Sequence, residues 1–426
     1  MKKRRKKKLW QFPWAYKESV LFLAGLCFTG IVLQVLCGEF PLELLSYPVN
    51  IYCGLFIIIS LSFFSFWSNN YIYQWISGIP FSVTVLGFFM LLSLFMGLIP
   101  QSALDEATIF SQLIIKLGFN SMTSSWLFAI VYSLSLISLG ALIIRRSKKF
   151  KWSDYAFYLN HFGLWMILFF AGLGAADIKK FQMYVNKGET EWRVYNKNGE
   201  SLELPLAIRL NDFVMEEYKP KLVIIDKKGK PLPVENPDYV QIEAKHSVTS
   251  IMGEYEVLVQ RYIHDAMRKD NYFEERKMTG SCPAALVKIK SNKTGFTKEG
   301  WISSGSPYII YQTLQLDSLH TLVMTQPEPK KFLSDITVTK KPNNKEKVSE
   351  QISYLLEVNK PIKIGDWSIY QYGYDEKAGK VSNYSSFELV YDPWVNYVYI
   401  GMIILALGSI SLLWKGNKTN SNYDLG

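Results

Sequence analysis

Six apolar stretches decide most of what this chain can become. Five are packed into the first 175 residues and one stands alone near the end. A helix that crosses a bilayer needs about 20 mostly apolar residues. The stretches run from about Ser19 to Cys37, Ile51 to Trp67, Phe81 to Ile99, Trp126 to Ile144, Phe157 to Ala175 and Val395 to Trp414. Backbone in lipid has to bond to itself, so each reads as a helix. The first has the basic start of a signal peptide. It is long, however, and Gly38-Glu39-Phe40-Pro41 follows it instead of a small-residue cleavage site, so it reads as a retained helix.

Charge orients these helices. The chain carries 47 Lys and Arg against 37 Asp and Glu, a net +10. That excess is not a nucleic-acid signal, because it is not spread over a folded domain. Lys2 to Lys8 supply seven positive charges, and Arg145, Arg146, Lys148, Lys149 and Lys151 supply five more. Residues 175–393 hold 31 basic and 30 acidic residues and are near neutral. Lys and Arg gather on the cytoplasmic side of membrane proteins. Both termini are therefore expected in the cytoplasm, together with the loop 145–151, and the long segment after the fifth helix on the outer side. The expected setting is the bacterial inner (cytoplasmic) membrane, with the large domain periplasmic.

That segment reads as β-rich. Lys221-Leu-Val-Ile-Ile-Asp226, Glu254-Tyr-Glu-Val-Leu-Val-Gln260 and Ser385-Ser-Phe-Glu-Leu-Val-Tyr391 alternate or carry β-branched and aromatic residues. Turn signals separate them at Lys227-Lys-Gly229, Pro231, Asn236-Pro237, Lys293-Thr-Gly295, Ser304-Gly305 and Pro342-Asn343. The expected fold is a polytopic α-helical membrane protein of six transmembrane helices with a large extracytoplasmic antiparallel β-rich domain, a sandwich or barrel-like sheet. Its expected division is 1–77, a basic start and two helices; 78–175, three helices; 176–393, the β-rich domain; and 394–426, the last helix and a cytoplasmic tail.

Signatures of catalysis are missing. There is no Gly-rich phosphate loop, HExxH, CxxC or GxSxG, and no residue is picked out as catalytic. Of the four histidines, only His161 lies in a membrane helix; His246, His264 and His320 have no metal-ligand spacing, although Asp265 next to His264 could orient its ring. His161 falls about 7 Å inside the basic boundary at 1.5 Å per residue. An ionisable group at that depth is a functional candidate, and neutral imidazole is a good axial ligand for haem iron. The five bases just upstream could meet haem propionates. The plainer reading is a histidine tilted toward the interface and bonded to a carbonyl or to Asn160, with the bases as a topology signal alone. Cys37 and Cys53 stand at the outer ends of the first two helices, where they could pair or stay free. Cys27 reads as a buried small residue and Cys282 as an unpaired one. Trp67, Trp126, Trp152, Trp394 and Trp414 read as an interface belt.

Residues from about 78 to 414 resemble the ResB/CcsB family of cytochrome c biogenesis proteins (system II). The motifs are Gly97-Leu-Ile-Pro-Gln101, Leu117-Gly-Phe-Asn-Ser, Ser125-Trp-Leu-Phe, the helix end Arg145-Arg146 and His161-Phe-Gly-Leu-Trp. In the outer domain they continue with Lys187-Gly-Glu-Thr190, Leu204-Pro-Leu, Arg209-Leu-Asn-Asp-Phe213, Pro329-Lys-Lys-Phe-Leu-Ser-Asp335, Val358-Asn-Lys-Pro361, Gly365-Asp-Trp-Ser-Ile-Tyr-Gln371, Tyr374-Asp375 and Asp392-Pro-Trp394. The helices within 1–77 are additional to the usual four. The resemblance implies a haem-transfer and assembly subunit of a cytochrome c haem lyase complex, not catalytic alone. It implies transported, non-covalent haem b with His161 as an axial ligand of the iron, a separate CcsA-like membrane partner that supplies the other ligand, and attachment of haem to the CxxCH motif of apocytochrome c. Two other functions suit the residues: a non-haem apocytochrome chaperone or thiol-handling assembly factor, favoured by Cys37 and Cys53, and a membrane-anchored scaffold or receptor.

Overall fold

The computed structural model describes residues 9–101, 108–242, 248–340 and 351–415. Lys2 to Lys8, His246, the turn at Pro342-Asn343 and Lys418 lie outside the described residues. The chain divides into two compact units, residues 1–179 with 391–426, and residues 180–390.

The first unit is helical. Its elements are α1 (Tyr16–Cys37), α2 (Val49–Phe64), α3 (Tyr71–Ile76), α4 (Ile79–Leu98), α5 (Ile109–Lys116), α6 (Trp126–Ser147), α7 (Tyr155–Gly174) and α8 (Val395–Lys415). Among the described residues six helices are long and apolar enough to cross a membrane, so this is a multi-pass membrane protein. Polar residues set the helix starts. Glu18 accepts from the Ala15 N–H at 2.9 Å ahead of α1, and Ser125 Oγ accepts from the Phe128 N–H at 3.2 Å to open α6. The short helices α3 and α5 were not expected. Asn70 caps α3 by accepting from the Ile72 N–H at 2.8 Å, and Thr108 with Ser111 forms a reciprocal cap on α5.

The two N-terminal helices are built into the bundle. Gly30 lets α1 close on α6, where an added Cβ would stand 3.0 Å from Leu127 Cα. Gln34, buried in α1, accepts from the Trp126 N–H at 3.1 Å. Trp75 donates its indole N–H to Ser19 at 2.9 Å. A polar side chain in lipid needs such a partner, so these contacts fix orientation more than they add stability.

The second unit is all β. An eight-stranded sheet runs in the order Gln351–Glu357, Pro329–Lys340, Ser201–Glu217, Thr190–Tyr195, Lys179–Asn186, Tyr384–Tyr391, Trp367–Tyr374 and Ile362–Ile364. Strand Gln351–Glu357 at one edge also touches Trp367–Tyr374 near the other, so the sheet rolls around its own core. That core contains Met183, Ile208, Leu210, Ile336, Ile369 and Phe387. A five-stranded sheet built on Tyr255–Lys269 and Cys282–Ser291 packs against a four-stranded one containing Lys221–Ile225 and Thr321–Met324. Val257, Val287 and Ile289 from the first meet Leu222, Ile224 and Leu322 from the second. Strand Pro329–Lys340 pairs antiparallel with Gln351–Glu357 and Ser201–Glu217, Tyr255–Lys269 with Cys282–Ser291, and Thr321–Met324 with Lys221–Ile225; an isolated parallel bridge joins Lys187 to Leu210. The architecture is the expected fold class, part sandwich and part rolled sheet.

Candidate functional site

Helix α7 presents different chemistry on two faces. Toward α8 it offers Asn160 and Gly163. Asn160 donates to Ser409 Oγ at 3.0 Å. A Cβ on Gly163 would stand 2.5 Å from the Leu405 amide nitrogen and 2.9 Å from the Gly401 carbonyl oxygen. The two backbones therefore touch, as small residues permit in membrane helices.

The other face carries His161, Leu164 and Leu168. With Ile79, Val83, Leu86 and Phe89 of α4 and Leu139 and Leu142 of α6, they line a cavity of about 330 Å³. Three serines also line it, and all are bonded within the protein. Ser82 meets Ser138 at 2.8 Å, Ser138 donates to the Ile76 carbonyl at 2.7 Å, and Ser135 donates to the Val131 carbonyl at 2.8 Å.

The His161 ring is held on two sides. Its Nδ1 lies 2.9 Å from the Phe157 carbonyl oxygen. A carbonyl can only accept, so Nδ1 carries a proton, and in the neutral ring Nε2 keeps its lone pair. The imidazole stacks on the Phe157 ring with centroids 3.9 Å apart, and the Arg146 guanidinium covers that ring at 4.1 Å. The carbonyl bond is the one the plainer sequence reading expects, and it leaves Nε2 with no bonded partner among the described residues. Orienting one imidazole nitrogen through a hydrogen bond on the other is how proteins prepare a metal-ligating histidine. An apolar cavity offering one imidazole and, among the described residues, no carboxylate suits haem iron better than a bare divalent cation. Ligand cavities run from ~300 to ~1,000 Å³, so this one sits at the small end.

The opposite end of the bundle holds a group that sequence reasoning missed. Asp177 is buried, 7% exposed. Its carboxylate accepts from the Tyr47 N–H, the Asn50 side-chain amide and the Trp394 indole N–H, each at 2.7 Å. Asn50 also donates to the Leu173 carbonyl at 2.9 Å. The signal was present as the first acidic residue after an apolar stretch. Trp394 thus has a defined partner as well as an interface position.

The four cysteines are free, Cys37 exposed and Cys282 buried, so Cys37 and Cys53 are not bonded to each other. Burial pushes the Cys282 thiol above its usual range. In the β unit, Asp265 pairs with Lys380 rather than orienting His264. Lys380 also lies 3.7 Å from Glu217, which faces His264 at 3.6 Å. Glu254, Asp317 and His320 stand close enough to share a cation, but Lys293 already neutralises Glu254 at 2.6 Å. The Tyr255 hydroxyl, with His320 and two backbone amides behind it, holds Asp317 well below the usual carboxylate range. Those groups form a turn lock.

These features define a class: a multi-pass helical membrane protein with a separate β-rich unit inserted before its last helix and a histidine-lined cavity in its bundle. Residues 288–382 match the profile of the ResB-like family, the family whose resemblance the sequence carries. The match lies wholly in the β unit and supports a part in cytochrome c biogenesis. No curated protein matches the chain. Among solved structures, one titled Cytochrome c Heme Lyase CcmF matches at 13% identity with a TM-score of 0.14, covering 87% of this chain. The chain spans 46% of that protein's length.

Proposed function

We propose that this chain is the haem-transfer and assembly subunit of a cytochrome c synthetase. The observation that carries the reading is His161: an imidazole whose Nδ1 is committed to the Phe157 carbonyl at 2.9 Å, which in the neutral ring leaves the Nε2 lone pair beside an apolar cavity. Haem is the cargo and the iron is what Nε2 would bind. The cavity is too small to enclose a whole macrocycle, which supports a site shared with a CcsA-like membrane partner that brings the second axial ligand. Haem made in the cytoplasm would enter at the basic end of the bundle and leave at the outer face, where its vinyl groups are joined to the CxxCH cysteines of apocytochrome c. In this reading both termini are cytoplasmic, the β unit is periplasmic, and the chain itself holds and orients haem without making the thioether bonds.

The test is a visible spectrum of the full chain purified in detergent, alone and with its co-expressed partner. Wild type is expected to show a Soret band that His161→Gly loses and added imidazole restores in part. A band of equal height in the variant would remove His161 from the site.

A further inference from the structure

A second cavity, about 460 Å³, opens at the end of the bundle where α6 finishes. Among the described residues three cations line it, Arg145, Lys148 and Lys149, and no carboxylate does. Among the described residues none of the three is in a salt bridge with an acid. Arg145 gives one N–H to the Gln74 carbonyl at 3.1 Å and keeps the rest of its fork. Lys148 donates to the Ser65 carbonyl. A topology signal needs charge in a loop but no cavity around it, so the enclosure asks for a further reason.

The other wall is aromatic and fixed. Trp14 meets Trp75 edge-on at 4.7 Å, Phe12 stacks on Trp14 at 4.6 Å, and Tyr71 stacks on Phe12 at 5.4 Å. Trp75 is buried and anchored to Ser19. Tryptophan and tyrosine with their polar edges toward a membrane surface sit at headgroup depth. Unpaired cations held together at that depth repel one another until an anion joins them, and Arg is suited to bidentate contact with phosphate. We propose that this cavity binds the phosphate headgroup of an anionic phospholipid. The N-terminal segment 1–77 would then have a binding role as well as a packing one, since Trp14 precedes α1 and Tyr71 and Trp75 belong to α3. The proposal does not rest on the haem reading.

The full chain, purified in mild detergent, is equilibrated with phosphatidylglycerol or phosphatidylcholine, and bound lipid is counted by native mass spectrometry. Phosphatidylglycerol is expected to stay bound, and phosphatidylcholine is not. Retention is expected to weaken about fivefold for each cation removed. Arg145→Gln also loses the bond to Gln74, so Lys149→Gln, whose exposed side chain has no hydrogen bond or ion pair among the described residues, is the cleaner variant, and Arg145→Lys should restore part of the binding. His161→Gly should leave lipid retention unchanged, which separates this site from the haem cavity. Equal retention of the two lipids, or wild-type retention in Lys149→Gln and Arg145→Gln, would overturn the proposal. So would displacement by millimolar inorganic phosphate, or by haemin but not its dimethyl ester, each of which would assign the cavity to another anion.

Discussion

Asp177 accepts three N–H bonds at 2.7 Å and meets no cation among the described residues. Bonds to an ionised carboxylate are roughly twice as strong as neutral ones, and each buried donor left without an acceptor costs about 1–3 kcal/mol. Asp177→Ala strands the donors of Tyr47, Asn50 and Trp394 together. We expect a loss of about 3 kcal/mol or more, read as a drop in melting temperature of at least about 5 °C in detergent. Glu43→Ala, at an exposed position on the same side, should melt like wild type. Equal melting of Asp177→Ala and wild type would mean that water replaces the carboxylate at no cost. His161 and Asp177 also differ in how legible they were. His161 stood out because an ionisable group inside an apolar stretch is costly without a purpose. Asp177 sits at a boundary where acids are common, and its partners are 130, 127 and 217 residues away. No local pattern encodes that convergence.

At the scale of elements, the spanning helices were readable because their signal is local: about 20 apolar residues between polar caps. Their observed bounds differ from the expected ones by a few residues at most. The short helices α3 and α5 escaped because six or eight residues among turn formers carry little periodic signal, and tertiary contacts rather than propensity hold them. Helix packing was also hidden, since a glycine in an apolar run looks the same whether it faces lipid or another backbone. Gly163 and Gly87 make the difference testable. A Cβ on Gly163 would meet Leu405 N at 2.5 Å, whereas Gly87 has nothing within 4 Å. Gly163→Ala should drive α8 away from α7, disturb His161 two residues along and lower the yield of monodisperse protein on size exclusion. Gly87→Ala should keep wild-type behaviour and gain up to about 1 kcal/mol from helix propensity. Similar behaviour of the two variants would mean that α7 and α8 are not in backbone contact.

The whole molecule joins a helical unit interrupted after residue 179 to a β unit with cores of its own. The sequence carried this division because composition changes abruptly at both borders, while the pairing of strand Lys179–Asn186 with Tyr384–Tyr391 joins residues some 200 apart and was not readable. The proposed orientation rests on charge alone. Five bases in 145–151 against a nearly neutral β unit would put the first on the cytoplasmic side and the second outside. The native cysteines report on this directly. Cys37 is exposed at the end of α1 opposite that basic loop, and Cys282 is buried in the β unit. An impermeant maleimide added to sealed right-side-out vesicles should label Cys37 at once, and Cys282 only after denaturation. Lys149→Cys in a Cys37→Ser background should react only once the vesicles are permeabilised. The reverse order of labelling would invert the topology. It would also move the cavity at Arg145 to the outer leaflet and take His161 away from the side on which haem is made.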